Sequence, residues 1–523
     1  MQPLDHDSFF IGGKQRRTDA DEYLDVISPR SEERIGRVPA ASRHDIDAAV
    51  ASAREAFDHG PWPRMSPAER GSYCAALAEA IQKRGDALAS LISEESGCSI
   101  TMSRLYQTVS PATSLNYSAE LSRSLVTEES RVTDLSRLAG TSSGADVVPM
   151  LNKSLVLREP VGVVAIFPAY NFTLPAVGQK LGPALVAGCT AVIKTTEPNP
   201  LATMELGELL QEIDLPPGVV NIVAARAPES EYLVMHPGID LVSFTGSVRT
   251  GKRIGEVCGA LVRPVVLELG GKSAAIVLDD VNPDDIIPIL ISASIGMNSG
   301  QSCAAQSRIL VPATRYVEYA EALADTFTSL KIGDPMDPDS VITPLITSTH
   351  RQNVESHIAR AQEEGATVKT GGRRPPHLDR GWYIEPTLLT DVNNSMSVAQ
   401  HESFGPVVEL IAHNGEADAI AIANDSAYGL SGSVFTSDVQ TGVSVARQVR
   451  TGTFSVNTFA VDLGSPFGGV KESGIGREHG PAAVDEFLVS KTISLPPSGP
   501  SPSEIAPKAV AGVGPGISES VTH

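Results

Sequence analysis

From Val161 onward the chain repeats a pattern of strand followed by helix, and that repetition restricts its fold more than any other feature. Val163–Phe167, Thr190–Lys194, Val219–Val223, Leu241–Phe244 and Pro264–Glu268 are short runs rich in β-branched residues, with helix-length segments between most of them. Their apolar residues do not alternate with polar ones. Strands of that kind are buried on both faces, which predicts an α/β fold with a parallel sheet between helices. Such sheets bind ligands beyond the carboxyl ends of their strands. A second strand–helix series runs from Ala274–Leu278 to about residue 470 and predicts a second α/β domain. A chain of 523 residues exceeds what one core serves, so more than one domain is expected.

Upstream, residues 8–40 read as short strands and turns, with Phe9–Lys14 a hairpin. Ser42 with Asp45, and Ser66 with Pro67 and Glu69, are helix starts, each followed by apolar residues at helical spacing. Residues 126–152 are polar and without periodicity, as in a linker or an excursion from the main body. The Pro/Ser/Gly-rich tail beyond Leu495 cannot bury a core and reads as disordered. A formal charge of −21 opposes binding to nucleic acid or to anionic membrane. Five scattered cysteines without a CxxC pair imply free thiols in a reducing compartment, and no export signal or membrane span is apparent. A soluble cytoplasmic protein is expected.

Chemistry concentrates at strand ends and in one loop. Cys303 lies in the small, polar, glycine-bounded stretch Gly296–Arg308, between an apolar helix opening at Asp284 and the strand Arg308–Val311. A thiol in such a turn suits a nucleophile once its pKa is lowered. Asn171, Lys194 with Glu197, Gly246-Ser247 and Glu268 each follow or close a predicted strand. Singly, Asn171 reads as a turn residue and Lys194/Glu197 as a solvated pair. Glu268 is different, because a carboxylate ending a buried run is costly without a partner or a task. Gly246 and Gly251 bracket a strand-to-helix turn whose N–H groups could meet a phosphate. No GxGxxG follows a strand, Gly271-Lys272-Ser273 lacks the first glycine of a P-loop, and Gly405 breaks an HExxH, so no metal site is expected.

Seven ordered stretches carry a family resemblance. They are Phe167–Phe172, Val192–Glu197, Phe244–Gly251, Leu267–Lys272, Gly300–Cys303, Glu402–Pro406, and Pro466–Gly469 with Gly476–Glu478. Over residues 8–495 the chain resembles the NAD(P)-dependent aldehyde dehydrogenase superfamily. The resemblance implies a Rossmann-like cofactor domain (1–137 and 161–270), an α/β catalytic domain (271–475) and a small β oligomerisation element (138–160 and 487–496), with 497–523 as tail. It implies Cys303 as nucleophile, Asn171 and the Cys303 N–H as oxyanion donors, and Glu268 as the base that activates water. Lys194, Glu197, Gly246, Ser247, Gly251, Glu402 and Phe404 would hold the cofactor. Glu197 would accept ribose hydroxyls and repel a 2′-phosphate, favouring NAD over NADP. An aldehyde tunnel would involve Phe172, Ala176, Gln179, Ser302, Ala304, Thr458 and Phe459. It would carry no Arg or Lys, as suits an uncharged aliphatic, terpenoid or aromatic aldehyde.

The sequence departs from the family pattern at Ala169-Tyr170, where Pro-Trp is usual, at Thr195 after Lys194, and at Thr343 in place of glycine. The first leaves coenzyme affinity less defined than the chemistry. A homodimer or homotetramer is expected, with no nucleic-acid or membrane partner. Two other readings are a CoA-acylating semialdehyde dehydrogenase, which Glu268 argues against, and a silent structural relative, which the joint presence of Cys303, Asn171 and Glu268 argues against.

Overall fold

The computed structural model describes residues 3–18, 21–138 and 151–496. Two compact units divide the chain: Met1–Arg123 with Val161–Phe487, and Ser124–Pro160 with Leu488–His523. The first unit holds two large sheets. Five parallel strands form the centre of one, in the spatial order Val265–Glu268, Leu241–Thr245, Val163–Phe167, Thr190–Lys194, Val220–Val223. Numbered along the chain these run 5-4-1-2-3, the doubly wound order with its reversal between Val163–Phe167 and Leu241–Thr245. Gly474–Ile475 and the hairpin Ser8–Ile11/Lys14–Arg17 close the two edges antiparallel. All five residues of Val163–Phe167 are buried, which explains their unbroken apolar run.

The other sheet runs Thr367–Thr370, Thr387–Thr390, Val407–His413, Arg308–Pro312, Ala274–Val277, Gly432–Phe435, Ser455–Val456. Only its first pair is antiparallel. Alternate residues feed opposite cores. Ile276, Leu310 and Val434 pack with Val354, Ile358 and Val445. Ala275, Ile309 and Phe435 pack with Ile286, Leu290, Leu323 and Phe327. Burial of both faces supplies the main stabilisation, at roughly 1.5–3 kcal/mol for each large apolar side chain removed from water.

Both N-terminal helices start where the sequence places them. Ser42 and Ser66 form full capping boxes with Asp45 and Glu69.

The second unit is a three-stranded antiparallel sheet in which Leu151–Pro160 lies between Leu488–Leu495 and Glu128–Asp134. Of the two forms expected over 126–152, a linker or an excursion from the main body, the described residues take the second. Glu128–Asp134 is a strand, and the unit begins at Ser124, upstream of the expected 138. Its side chains are half-buried or exposed, so no apolar alternation marks it in the sequence. Residues 139–150 of the expected oligomerisation element, and the tail 497–523, lie outside the described residues.

Candidate active site

The thiol loop is built by backbone irregularity. The helix Pro283–Ile291 runs into a π turn over Ser292–Gly296. Asn298 and Ser299 then take left-handed φ values of 49° and 54°, a conformation that costs of order 1 kcal/mol or more per residue and clusters at functional sites. Ser299 locks the turn: its Oγ accepts the Thr343 N–H at 2.8 Å and donates to Thr343 O at 3.0 Å. The hydroxyl of Thr343, where the family usually carries glycine, lies 3.2 Å from the same atom. Cys303 emerges from this turn partly exposed, and its carbonyl passes close over Gly271, where a Cβ would stand 2.4 Å from the oxygen.

Asn171 follows Val163–Phe167 and is buried. Its Nδ2 donates one hydrogen to Gln301 O at 2.9 Å, leaving a second N–H of the amide for another acceptor. Glu268 ends Val265–Glu268, 2% exposed. Neither of its oxygens has a hydrogen-bond partner of full geometry; the Gly469 N–H is the backbone donor that approaches. Burial, and next the charge of Glu478, hold this carboxyl well above the usual range, while Lys180 and Arg477 pull the other way. Lys180 and Glu478 form a buried ion pair beside it. The thiol of Cys303 is also pushed up, first by burial and then by Glu268, Glu402 and Glu478. The lowered thiol pKa expected of a nucleophile is therefore absent in this state. Cys303 rests protonated and needs a base to ionise.

Cys303, Asn171 and Glu268 line one small cavity. Of the expected tunnel residues, Phe172, Ala176, Gln179, Ser302, Ala304 and Phe459 line it too. Thr458 does not: it is exposed, and from the expected stretch 458–463 Phe459 and Val461 line the cavity, with Phe467 beside them. Tyr106 and His479 also face the cavity, and sequence reasoning missed both. Tyr106 sits on a π turn over Ser103–Thr108, stacked edge-on to Phe172 at 4.9 Å. His479 has a left-handed φ of 60° and meets Phe467 edge-on at 5.7 Å. Neither position belongs to an apolar periodicity that could announce it.

Cys303 and Asn171 also line a second, larger cleft of about 440 Å³, at the strand-order reversal of the parallel sheet. Lys194, Glu197, Gly246, Ser247, Glu402 and Phe404 lie along it. Gly251 does not reach it. A Cβ there would strike the Leu269 side chain at 2.4 Å, so this glycine serves helix–strand packing. Ser247 caps the helix Val248–Ala260, leaving first-turn N–H groups toward the cleft. Lys194 has no hydrogen-bond or ion-pair partner among the described residues, and burial lowers its pKa to about 8. Glu197 meets Arg226 at 3.3 Å on the rim. Glu402 Oε1 accepts the Gly271 N–H at 3.0 Å, and burial raises its carboxyl to about 7. Phe404, at φ 54°, offers its carbonyl to His350 Nε2 at 2.7 Å, and Tyr170 stacks edge-on to its ring at 5.8 Å.

An elongated cleft with a helix N-terminus, an unpartnered ammonium and a carboxylate at the far end fits a dinucleotide. Among the described residues there is no cluster of His, Cys, Asp or Glu suited to a metal ion, and no helix is long and apolar enough to cross a membrane.

The chain is 38% identical to geranial dehydrogenase of Castellaniella defragrans over 94% of its own length and 99% of that protein's. It is 35% identical to the chloroplastic betaine aldehyde dehydrogenase of Beta vulgaris, over 94% and 97%. Among solved structures, the Mycobacterium tuberculosis aldehyde dehydrogenase complexed with NAD+ superposes with a TM-score of 0.90 at 41% identity, over 95% of this chain and 100% of that one. A Pseudomonas syringae aldehyde dehydrogenase mutant complexed with NAD+ and octanal gives 0.87 at 33% identity, over 94% and 98%. Residues 16–493 match the model of the aldehyde dehydrogenase family, and the chain belongs to that family.

Proposed function

We propose that this protein oxidises an uncharged aldehyde to its carboxylate with NAD, through covalent adducts on Cys303. The observation that carries the reading is the convergence of Cys303, Asn171 and Glu268 on one cavity that shares Cys303 and Asn171 with the dinucleotide cleft. When bound, the nicotinamide accepts the hydride that leaves the aldehyde carbon.

The protein's own residues account for the remaining steps. Glu268, unpartnered and raised in pKa, takes the thiol proton; the Cys303 sulfur attacks the carbonyl carbon, giving a thiohemiacetal. The free N–H of Asn171 Nδ2 and the Cys303 backbone N–H hold the oxyanion, where charge develops. Oxidation leaves a thioester on Cys303. Glu268 gives up the thiol proton to solvent and, ionised again, removes a proton from water, which attacks the thioester carbon; the sulfur leaves with that proton from Glu268, restoring the thiol, and the acid product ionises to the carboxylate. Glu268 supports this hydrolytic course over transfer of the acyl group to CoA.

Lys194, Glu197, Ser247 and Glu402 would hold the dinucleotide, with Glu197 favouring a free ribose 2′-hydroxyl. Aromatic and aliphatic side chains such as Phe172, Phe459 and Val461, with no Lys or Arg in the lining, support an aldehyde without a carboxylate; the names of the geranial dehydrogenase and the octanal complex favour a neutral one, whereas that of the betaine aldehyde dehydrogenase does not. Five free thiols suit a reducing cytoplasm. A dimer or tetramer would cover the exposed Val489 and Ile493 of the edge strand Leu488–Leu495. The test is NADH formation with hexanal, benzaldehyde and succinic semialdehyde. The reading expects the first two to give the higher kcat/KM, and a strong preference for the semialdehyde would overturn the substrate class.

A further inference from the structure

Asn171 is held by more than the nucleophile loop. Its backbone carbonyl accepts two hydrogen bonds, from Gln107 Nε2 at 2.7 Å and from Asn298 Nδ2 at 3.2 Å. Both donors are buried, Gln107 completely. Both also leave their own amide oxygens, Gln107 Oε1 and Asn298 Oδ1, without a partner among the described residues. A buried unpaired oxygen costs about 1–3 kcal/mol, and such groups are rare enough in native proteins to need a reason. The carbonyl acceptor fixes the assignment, since turning either amide over would set oxygen against oxygen.

The two grips differ in origin. Asn298 belongs to the thiol loop, as does Gln301, whose carbonyl holds the Asn171 side chain. Gln107 comes from outside it, on the π turn Ser103–Thr108. Such turns insert an extra residue into a helix and redirect the side chains around it. Here successive residues reach successive targets: Tyr106 stacks on Phe172 and Gln107 bonds the carbonyl of Asn171. A fixed carbonyl fixes the peptide plane after Asn171, and with the Gln301 contact it sets the direction of the Asn171 amide.

We propose that Gln107 is a positioning residue for the oxyanion donor, holding the Asn171 main chain so that the free N–H of its side chain meets the reacting oxygen. The proposal rests on the aldehyde-oxidation reading above. It predicts a defect in the chemical step and not in cofactor binding.

The test compares wild type, Gln107→Met and Gln107→Glu with NAD and hexanal. Gln107→Met keeps the length and loses the donor. Its kcat should fall about tenfold, part of the loss seen when an oxyanion donor is deleted outright, with KM and the NAD dissociation constant within about twofold of wild type. Gln107→Glu supplies a conditional donor. Its protonated carboxyl can donate to Asn171 O, whereas the ionised form repels it. The ratio of its kcat to that of wild type should therefore fall steadily as pH rises, a trend that simple loosening of the fold does not produce. A wild-type kcat in Gln107→Met, or a pH-independent ratio in Gln107→Glu, would overturn the assignment. Should Gln107→Met not fold, the Gln107→Glu ratio decides alone. A wild-type protein inactive with every aldehyde would overturn the oxidation reading itself, and this role with it.

Discussion

A Cβ on Gly271 would lie 2.4 Å from the carbonyl oxygen of Cys303, whereas a Cβ on its neighbour Gly270 would lie 2.4 Å from Oε2 of Glu402. Backbone cannot yield to the first contact without moving the nucleophile; a carboxylate can swing away from the second. Gly271→Ala should lower kcat about 100-fold, the scale expected when a reacting group shifts by an ångström. Gly270→Ala should instead raise the NAD dissociation constant and leave kcat closer to wild type. Steady-state kinetics with a fluorescence titration of NAD separate the two.

The raised thiol predicts its own reactivity. Three carboxylates and burial hold Cys303 protonated, so alkylation by iodoacetamide should be slow at neutral pH and accelerate as pH rises. Glu268 is the group that takes the thiol proton, so Glu268→Gln should alkylate more slowly than wild type at the same pH, by roughly severalfold. Equal rates would mean that Glu268 does not act on the sulfur. Aldehyde oxidation should likewise climb with pH, because the base works only when ionised and its carboxyl is raised.

Lys194 carries its charge below a pKa of about 8. Binding of the doubly anionic NAD pyrophosphate region should accordingly weaken as pH rises through that value, and Lys194→Met should bind NAD about tenfold more weakly at neutral pH with a flatter pH dependence. Isothermal titration across this range checks both.

In the three-stranded sheet, Val489 and Ile493 are 44% and 39% exposed on the edge strand Leu488–Leu495. Replacing both with Asp should shift the protein to a smaller species by light scattering, while an unchanged mass would remove this edge from the proposed subunit contact.

The legible parts of this molecule share one physical cause. Strands buried on both faces must be apolar throughout, so Val163–Phe167 and its neighbours announce a parallel sheet, and the loop ends that follow them announce a site. Cys303 stands out because its loop is small and glycine-bounded. The hidden parts are those that local pattern does not encode. Gln107 and Tyr106 depend on a π turn, a change of hydrogen-bond register without a compositional mark. Lys180 finds Glu478 across almost 300 residues. Glu128–Asp134 pairs as a strand although its side chains face water, so polarity concealed it. Within the stretch 458–463 assigned by resemblance, Thr458 is exposed whereas Phe459 and Val461 line the cavity, because the sequence does not say which side chains of a loop turn inward.

In the proposed function Glu268 serves hydrolysis of an acyl group carried by Cys303. The most direct test of that role is the amount of NADH released when Glu268→Gln is mixed rapidly with NAD and hexanal at a pH where the thiolate forms. About one equivalent per active site followed by a halt, with the acyl group recovered on Cys303 by mass spectrometry, is the predicted result. Sustained turnover at the wild-type rate, or an acyl group found on any other residue, would contradict it.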